Sequence, residues 1–247
     1  MKAVITAAGL GTRSGLDGKI RKEMLPVYDI RNGRIVLRPI IDVIISNLLI
    51  AGLDGIAVVL DPQDLFTKNY IETNFPEAQI LFQIEKRGYG HAVLTAKEFV
   101  GKGSFILNAG DGIVLNPEVT NAVINGRRNE NYLTLMKVED PKRYGTALYE
   151  TDGDSIIIRS VVEKAKNPPS NYALCAFYRL NSDLFAYLEK DMSGNVELTP
   201  AINSSILNGT ETHGILLSRK DWQSVGRAES YVDVLKATLD YCKKRLS

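Results

Sequence analysis

Several groups in this 247-residue chain have the types and spacing to handle a phosphorylated ligand. Gly9-Leu10-Gly11-Thr12-Arg13 follows directly on the apolar run of residues 1–8. A glycine-rich turn at the end of a buried strand bares backbone N–H groups that a phosphate or a nucleobase can approach closely. Arg13 adds a permanent positive charge at the same place. The string matches neither of two familiar phosphate loops: no Lys and Ser/Thr pair follows glycines five apart, and Ser14 stands where a dinucleotide fingerprint needs its third glycine. The turn runs on into a long loop carrying Arg13, Lys19, Arg21 and Lys22 against Asp17 and Glu23, a balance of charge suited to a triphosphate. Asp111 lies between Gly110 and Gly112 at the end of another apolar run. A hard carboxylate oxygen there suits Mg²⁺, which takes one or two carboxylates plus phosphate oxygens and water. Gln83 ends a third run, and its amide offers donor and acceptor together to the edge of uracil or thymine.

The elements between these groups must place them. Residues 1–8, 55–60, 79–84, 104–108 and 132–138 are short apolar runs that read as buried strands. Ile41, Ile44, Ile45, Leu48 and Leu49 fall at helical spacing, which predicts a helix over 38–51 stopped by Gly52. Residues 89–100 and 117–127 read as further helices, the second with Pro117 in its first turn. His91, near the start of the first, reads as a packing and helix-start residue. Strand and helix alternating in this way predict an α/β fold: a Rossmann-like, mixed but mainly parallel sheet with helices on both faces. Ligands of such sheets bind beyond the carboxyl ends of the strands, so the turns at Gly9 and Asp111 are expected to face one crevice. After residue 140 the texture changes. Residues 146–149, 155–163 and 172–180 read as a small antiparallel, acceptor-side insertion. Helices follow over 182–190 and 200–207, and Val232, Leu235 and Leu239 mark a last one over 230–246.

Composition bounds the function. The chain is 45% hydrophobic and 24% charged with net charge +1, an ordinary globular balance that offers no general nucleic-acid surface. Cys175 and Cys242 match neither a zinc spacing nor a CxxC motif, and read as two reduced thiols of a cytoplasmic protein. No run approaches the roughly 20 apolar residues of a membrane span, and no signal-peptide pattern opens the chain.

The residues also carry a resemblance. Residues 7–13 followed by Lys22-Glu23-Met24-Leu25-Pro26-Val27 resemble the signature of sugar-1-phosphate nucleotidyltransferases, nearest to UTP–glucose-1-phosphate uridylyltransferases with glucose-1-phosphate thymidylyltransferases as relatives. Gly88-Tyr89-Gly90-His91-Ala92-Val93, Ala109-Gly110-Asp111, Val162-Glu163-Lys164, residues 168–171 and 194–199, and Trp222 to Gly226 resemble further segments of that family in the same order. The resemblance implies the nucleotide-diphospho-sugar transferase fold in one domain. Residues 1–140 would mainly bind nucleotide, 141–226 sugar phosphate, and 227–247 form a C-terminal helix. It implies Arg13 and Lys22 as catalytic cations. Ala8, Gly9, Gly11, Thr12, Gln83 and Gly88 would hold the nucleotide, Gly145, Glu163 and Lys164 the sugar phosphate, and Asp111 the Mg²⁺. The partners implied are a nucleoside triphosphate, UTP favoured, and a sugar 1-phosphate, with no nucleic acid or membrane and a possible homo-oligomer. No left-handed β-helix repeat is present, so no fused acyltransferase is expected. One position departs from the family pattern: its closing motif supplies a second metal aspartate where this chain has Ser224. A hydroxyl is a far poorer Mg²⁺ ligand. Other nucleoside triphosphates, and a catalytically weak regulatory homologue, stay open as alternatives.

Overall fold

The computed structural model describes residues 1–9, 11, 15–16, 20–190 and 194–247. The chain runs through β1 (Lys2–Ala7), β2 (Pro26–Arg31), β3 (Arg34–Pro39), α1 (Ile40–Ile50), β4 (Gly55–Leu60), α2 (Leu65–Asn74), β5 (Gln79–Phe82), α3 (Tyr89–Leu94), α4 (Lys97–Val100), β6 (Ser104–Ala109) and β7 (Gly112–Val114). It continues through α5 (Pro117–Ile124), β8 (Asn131–Lys137), β9 (Gly145–Asp152), β10 (Ser155–Glu163), β11 (Tyr172–Asn181), α6 (Leu184–Lys190), α7 (Leu198–Leu207), β12 (Thr212–Leu217), β13 (Trp222–Ser224) and α8 (Ala228–Leu246).

Among the described residues, nine strands form one mixed sheet in the order β5-β4-β1-β6-β11-β8-β12-β10-β9. The half built from β5, β4, β1 and β6 is parallel throughout. β11 enters antiparallel to both β6 and β8, while β12 returns parallel to β8. The fold class is thus the α/β one expected. The antiparallel acceptor-side strands β9 and β10 are continuous with the main sheet through β12, and do not form a layer of their own.

Successive residues of a strand point to opposite faces, and the apolar runs therefore feed two cores. Ile5, Val58 and Ile106 pack on one face with α1, Trp222 and Val234 of α8. Val4, Val59, Leu107 and Leu135 pack on the other with α3, α6 and α7. The rings of Phe105 and Phe185 stack there, 5.4 Å apart.

Three local departures have physical reasons. The helix expected over 89–100 breaks into α3 and α4, because Thr95 Oγ1 bonds back to the His91 carbonyl and the Ala96 N–H closes a tighter turn on Val93. β2 and β3 form a hairpin whose two-residue turn is Asn32-Gly33, both in the left-handed region at φ 51° and 71°, the conformation an Asn-Gly hairpin turn favours. Among the described residues, β7 and β13 are three-residue strands that pair only with each other. No described helix is long and apolar enough to cross a membrane.

Candidate active site

The site lies beyond the carboxyl ends of β1, β4 and β6, and backbone bonds fix its shape. After β6 the Gly110 N–H donates to the Thr6 carbonyl at 2.9 Å, and Asn108 Nδ2 donates to the carbonyls of Ala109 and Gly112 at 2.6 and 2.9 Å. The Val225 N–H donates to the Asp111 carbonyl at 3.0 Å, so β13 clamps the same turn. Gly112 is obligatory: a Cβ there would stand 2.2 Å from the Trp222 ring. This turn carries the Asp111 carboxylate into the cleft. Lys22, on a short 3₁₀ turn over Lys22–Met24, reaches it from the other side and donates to Asp111 Oδ2. Each of the two side chains keeps 23% of its surface exposed, toward the cleft.

The first loop is held by a second set of charges. Arg21 donates to the Gly9 carbonyl at 2.9 Å and to Asp61 at 3.0 Å, and lies 3.6 Å from Asp64. Lys86 donates to the Ala8 carbonyl at 3.2 Å and pairs with Asp61 at 3.1 Å. Burial would raise the Asp61 carboxyl, but the Gln63 N–H, Lys86 and Arg21 outweigh it and hold it below the usual range. Glu23 is the opposite case. It is buried, with no hydrogen bond to Oε1. Burial, with Asp111 and Asp64 nearby, pushes its carboxyl up to about 7 against the pull of its backbone hydrogen bond and Lys22.

The cleft has two compartments. The smaller, about 380 Å³, is lined by Ala8, Gly9, Lys22, Glu23, Gln83, Lys86, Gly88 and Asp111 among others. Gln83 is buried there; its Nε2 donates to the Gly88 carbonyl at 3.0 Å and faces His91 Nδ1 at 3.3 Å. Gly88 sits at φ 93°, and a Cβ would meet the Val196 carbonyl at 2.7 Å, so only glycine fits. The larger compartment, about 1030 Å³, is lined by Gly9, Gly11, Lys22, Asp111, Arg143, Tyr144, Lys164 and Ser224 among others. Gly9, Lys22 and Asp111 belong to both walls.

Gly145, Glu163 and Lys164 come together at the far wall. β9 and β10 pair Gly145 with Glu163, and a Cβ on Gly145 would stand 2.9 Å from Glu163 Oε2. That oxygen accepts from Thr199 Oγ1 at 2.8 Å, while Oε1 pairs with Lys164 at 2.8 Å. Lys164 has φ 45°, a left-handed conformation that costs a non-glycine residue of order 1 kcal/mol. Its N–H donates to the Tyr144 carbonyl at 3.0 Å, which holds it there.

The structure thus gathers Ala8, Gly9, Gly11, Lys22, Gln83, Gly88, Asp111 and Lys164 around one cleft, with Gly145 and Glu163 supporting Lys164. Thr12 and Arg13 lie outside the described residues. Ser224 stands beside the Asp111 turn in register with Gly112. Asp221 is engaged elsewhere, accepting from Ser218 N–H and Oγ and from Asn116 Nδ2. Sequence reasoning did not single out Glu23, Asp61, Lys86, Arg143 or Tyr144. Glu23 sits inside the Lys22-to-Pro26 string, whereas Asp61 and Lys86 follow their strands with no local signal beyond a charge at a strand end.

The loop and the carboxylate turn converge at the carboxyl ends of a mixed sheet covered on both faces, and the fold is the one shared by solved nucleotide-sugar transferases. The chain superposes on a UDP-glucose pyrophosphorylase solved with UDP-glucose at a TM-score of 0.78 and 22% identity, covering 98% of each chain. It belongs to the nucleotidyl transferase family, which it matches over residues 2–241. It is 31% identical to a bifunctional sugar-1-phosphate nucleotidylyltransferase/acetyltransferase of Sulfurisphaera tokodaii over 97% of its own length and 56% of that protein's. It is likewise 31% identical to a UTP–glucose-1-phosphate uridylyltransferase of Staphylococcus epidermidis, over 81% of this chain and 80% of that one. The chain therefore spans little more than half the length of several curated relatives it matches.

Proposed function

We propose that the chain transfers a nucleotidyl group from a nucleoside triphosphate, UTP in the first instance, to a sugar 1-phosphate with release of pyrophosphate. The observation that carries this reading is the pair of compartments meeting at Lys22 and Asp111. The smaller would take the nucleoside and the larger the sugar phosphate, so their phosphates would meet where the charges are.

A phosphate oxygen of the sugar 1-phosphate attacks the α-phosphorus in line. The bond from that phosphorus to its β-bridging oxygen breaks, and pyrophosphate leaves with the electron pair. No protein nucleophile is needed. The barrier is the approach of two polyanions, so the chain's work is positioning and neutralisation of charge. Lys22 exchanges Asp111 for the phosphates, and Lys164 neutralises the sugar phosphate. Gln83, with its Nε2 turned to Gly88 and His91, presents its carbonyl oxygen as an acceptor for a ring N–H. Uracil and thymine carry such a group at N3, as the larger guanine does at N1, whereas adenine and cytosine offer a ring acceptor at that edge.

The site also fits a divalent cation. Asp111 is one hard carboxylate in a rigid turn at the junction of the two compartments, and Mg²⁺ asks for one or two such ligands and keeps water and phosphate oxygens. Asp111 would hold the ion without the second carboxylate that Ser224 replaces. When bound, Mg²⁺ would polarise the phosphate oxygens and offset their developing charge.

The substitution at Ser224 also favours a second reading, a homologue that binds sugar nucleotides and turns over slowly. One assay separates the two: nucleoside triphosphates crossed with sugar 1-phosphates, scored by pyrophosphate release with and without Mg²⁺. The proposal expects Mg²⁺-dependent release, strongest with UTP or dTTP. Binding of a sugar nucleotide with no release for any pair would refute it in favour of the second reading.

A further inference from the structure

The opposite end of the sheet holds a second cluster of charged side chains. β8 and β12 are parallel neighbours, with Asn131 in register with Thr212 and Tyr132 with His213. Their amino ends point away from Lys22 and Asp111, because β8 runs parallel to β6 through the antiparallel strand between them. Glu130 and Glu211 each stand one residue before their strand, and His213 is the second residue of β12. Asn129 takes the left-handed φ of 66° just before Glu130 and turns the chain into the cluster.

His213 Nε2 lies 3.1 Å from Glu130 Oε2 and 3.2 Å from Glu211 Oε1. That nitrogen is buried, and neither contact has hydrogen-bond geometry. Donor atoms of all three residues lie within 4.8 Å of one another. Zinc binds nitrogen at about 2.0–2.1 Å and carboxylate oxygen at about 2.0–2.2 Å in a tetrahedron, whose edges are then about 3.3–3.5 Å. Two edges of the cluster are already within a few tenths of an ångström of that length.

The ligands are also oriented from behind, as metal ligands are. The Tyr132 hydroxyl donates to Glu130 Oε2 at 2.8 Å and accepts the Arg127 N–H at 3.0 Å. The Tyr132 ring stacks on the His213 imidazole with centroids 5.0 Å apart. Gly126 lets the chain pass over that ring, since a Cβ there would stand 2.3 Å from it. Glu130 and Glu211 open onto a surface cleft of about 730 Å³, from which water could supply a fourth ligand.

We propose that Glu130, Glu211 and His213 form a site for a divalent transition ion of the zinc class, one that fastens the amino ends of β8 and β12 together far from the nucleotide cleft. The test uses chelator-stripped protein and Zn²⁺ alone, with no nucleotide present. Zinc is titrated against a chromophoric competitor, and thermal midpoints are read with and without the ion. Wild type and Asp111→Asn should bind one Zn²⁺ per chain with the same affinity and melt higher when loaded. Glu211→Gln and His213→Gln should bind about 100-fold more weakly or worse, and lose the rise in midpoint. Glu211 is more than half exposed, so its variant decides the matter should the His213 variant fail to fold. X-ray absorption at the zinc edge should show one nitrogen and two carboxylate oxygens contributed by the protein. No binding would overturn the proposal and leave the cluster as a histidine side chain packed between two carboxylates. Binding that survives both substitutions would overturn it equally.

Discussion

Lys22 and Asp111 form a contact pair, and in the proposed reaction they act as one unit on the phosphates. Lys22→Met keeps the stem and removes the charge; Asp111→Asn keeps the shape and removes the carboxylate. A unit charge about 4 Å from a phosphate oxygen is worth about 4 kcal/mol at an effective dielectric constant near 20. Each side chain is 23% exposed, so water and salt screen part of that. About 3 kcal/mol remains, or about 10² in turnover for Lys22→Met. The Asp111 carboxylate would itself repel phosphate, so Asp111→Asn acts through a weakened hold on Mg²⁺, with a loss of about 10² expected there too. Independent residues would multiply to about 10⁴ in the double variant. Residues serving one centre are strongly non-additive, so the double variant should fall by about 10²–10³. Stability supplies a second reading, because each single change strands one charge in a half-buried place while the double change strands none. The double variant should therefore melt above at least one of the singles. Initial rates of pyrophosphate release at saturating Mg²⁺, taken with thermal midpoints, complete the cycle. A fully multiplicative loss of turnover, with additive losses of stability, would refute the reasoning.

Gly145→Ala would drive a methyl group against Glu163 Oε2 and disturb the carboxylate that holds Lys164. The expected result is a rise of about tenfold or more in the KM for sugar 1-phosphate with the KM for nucleotide little changed, measured by initial rates with each substrate varied in turn. Glu23 has its carboxyl raised from 4.5 to about 7 in the folded chain, so folding favours its neutral form. The stability this contributes is complete below pH 4.5 and is lost as pH rises to about 7. At about 1.4 kcal/mol per pH unit over that interval, the loss is at most about 3 kcal/mol. Relative to wild type, Glu23→Gln should therefore gain stability in denaturant titrations between pH 5 and pH 8, in chelator and without nucleotide; a gap that does not change with pH would contradict the assignment.

The parallel half of the sheet was legible because β1, β4 and β6 are buried on both faces and read as plain apolar runs, such as Gly55–Leu60. The Asn32-Gly33 hairpin carried its own turn signal, overshadowed by the charged loop before it. β12 was not legible. Thr212–Leu217 is short, and its pairing with β8 is fixed by a partner about 80 residues away in sequence. Motif order placed Lys22, Gln83, Gly88, Asp111 and Lys164 around one cleft. It could not indicate that Gly145 makes room for the Glu163 carboxylate, or that Arg21 and Lys86 share Asp61 beneath the first loop. Those relations are three-dimensional, and each residue taken alone is an ordinary strand-end charge or turn glycine.

The central claim is that the cleft between Lys22 and Asp111 takes a metal-bound nucleoside triphosphate. Crystals grown with Mn²⁺ and a non-hydrolysable UTP analogue test it directly. Anomalous density for manganese within bonding distance of the Asp111 carboxylate, with the triphosphate against Lys22 and the base beside Gln83, is the predicted result. Nucleotide bound elsewhere, or bound in this cleft with Lys22 still paired to Asp111 and no metal between carboxylate and phosphate, would contradict it.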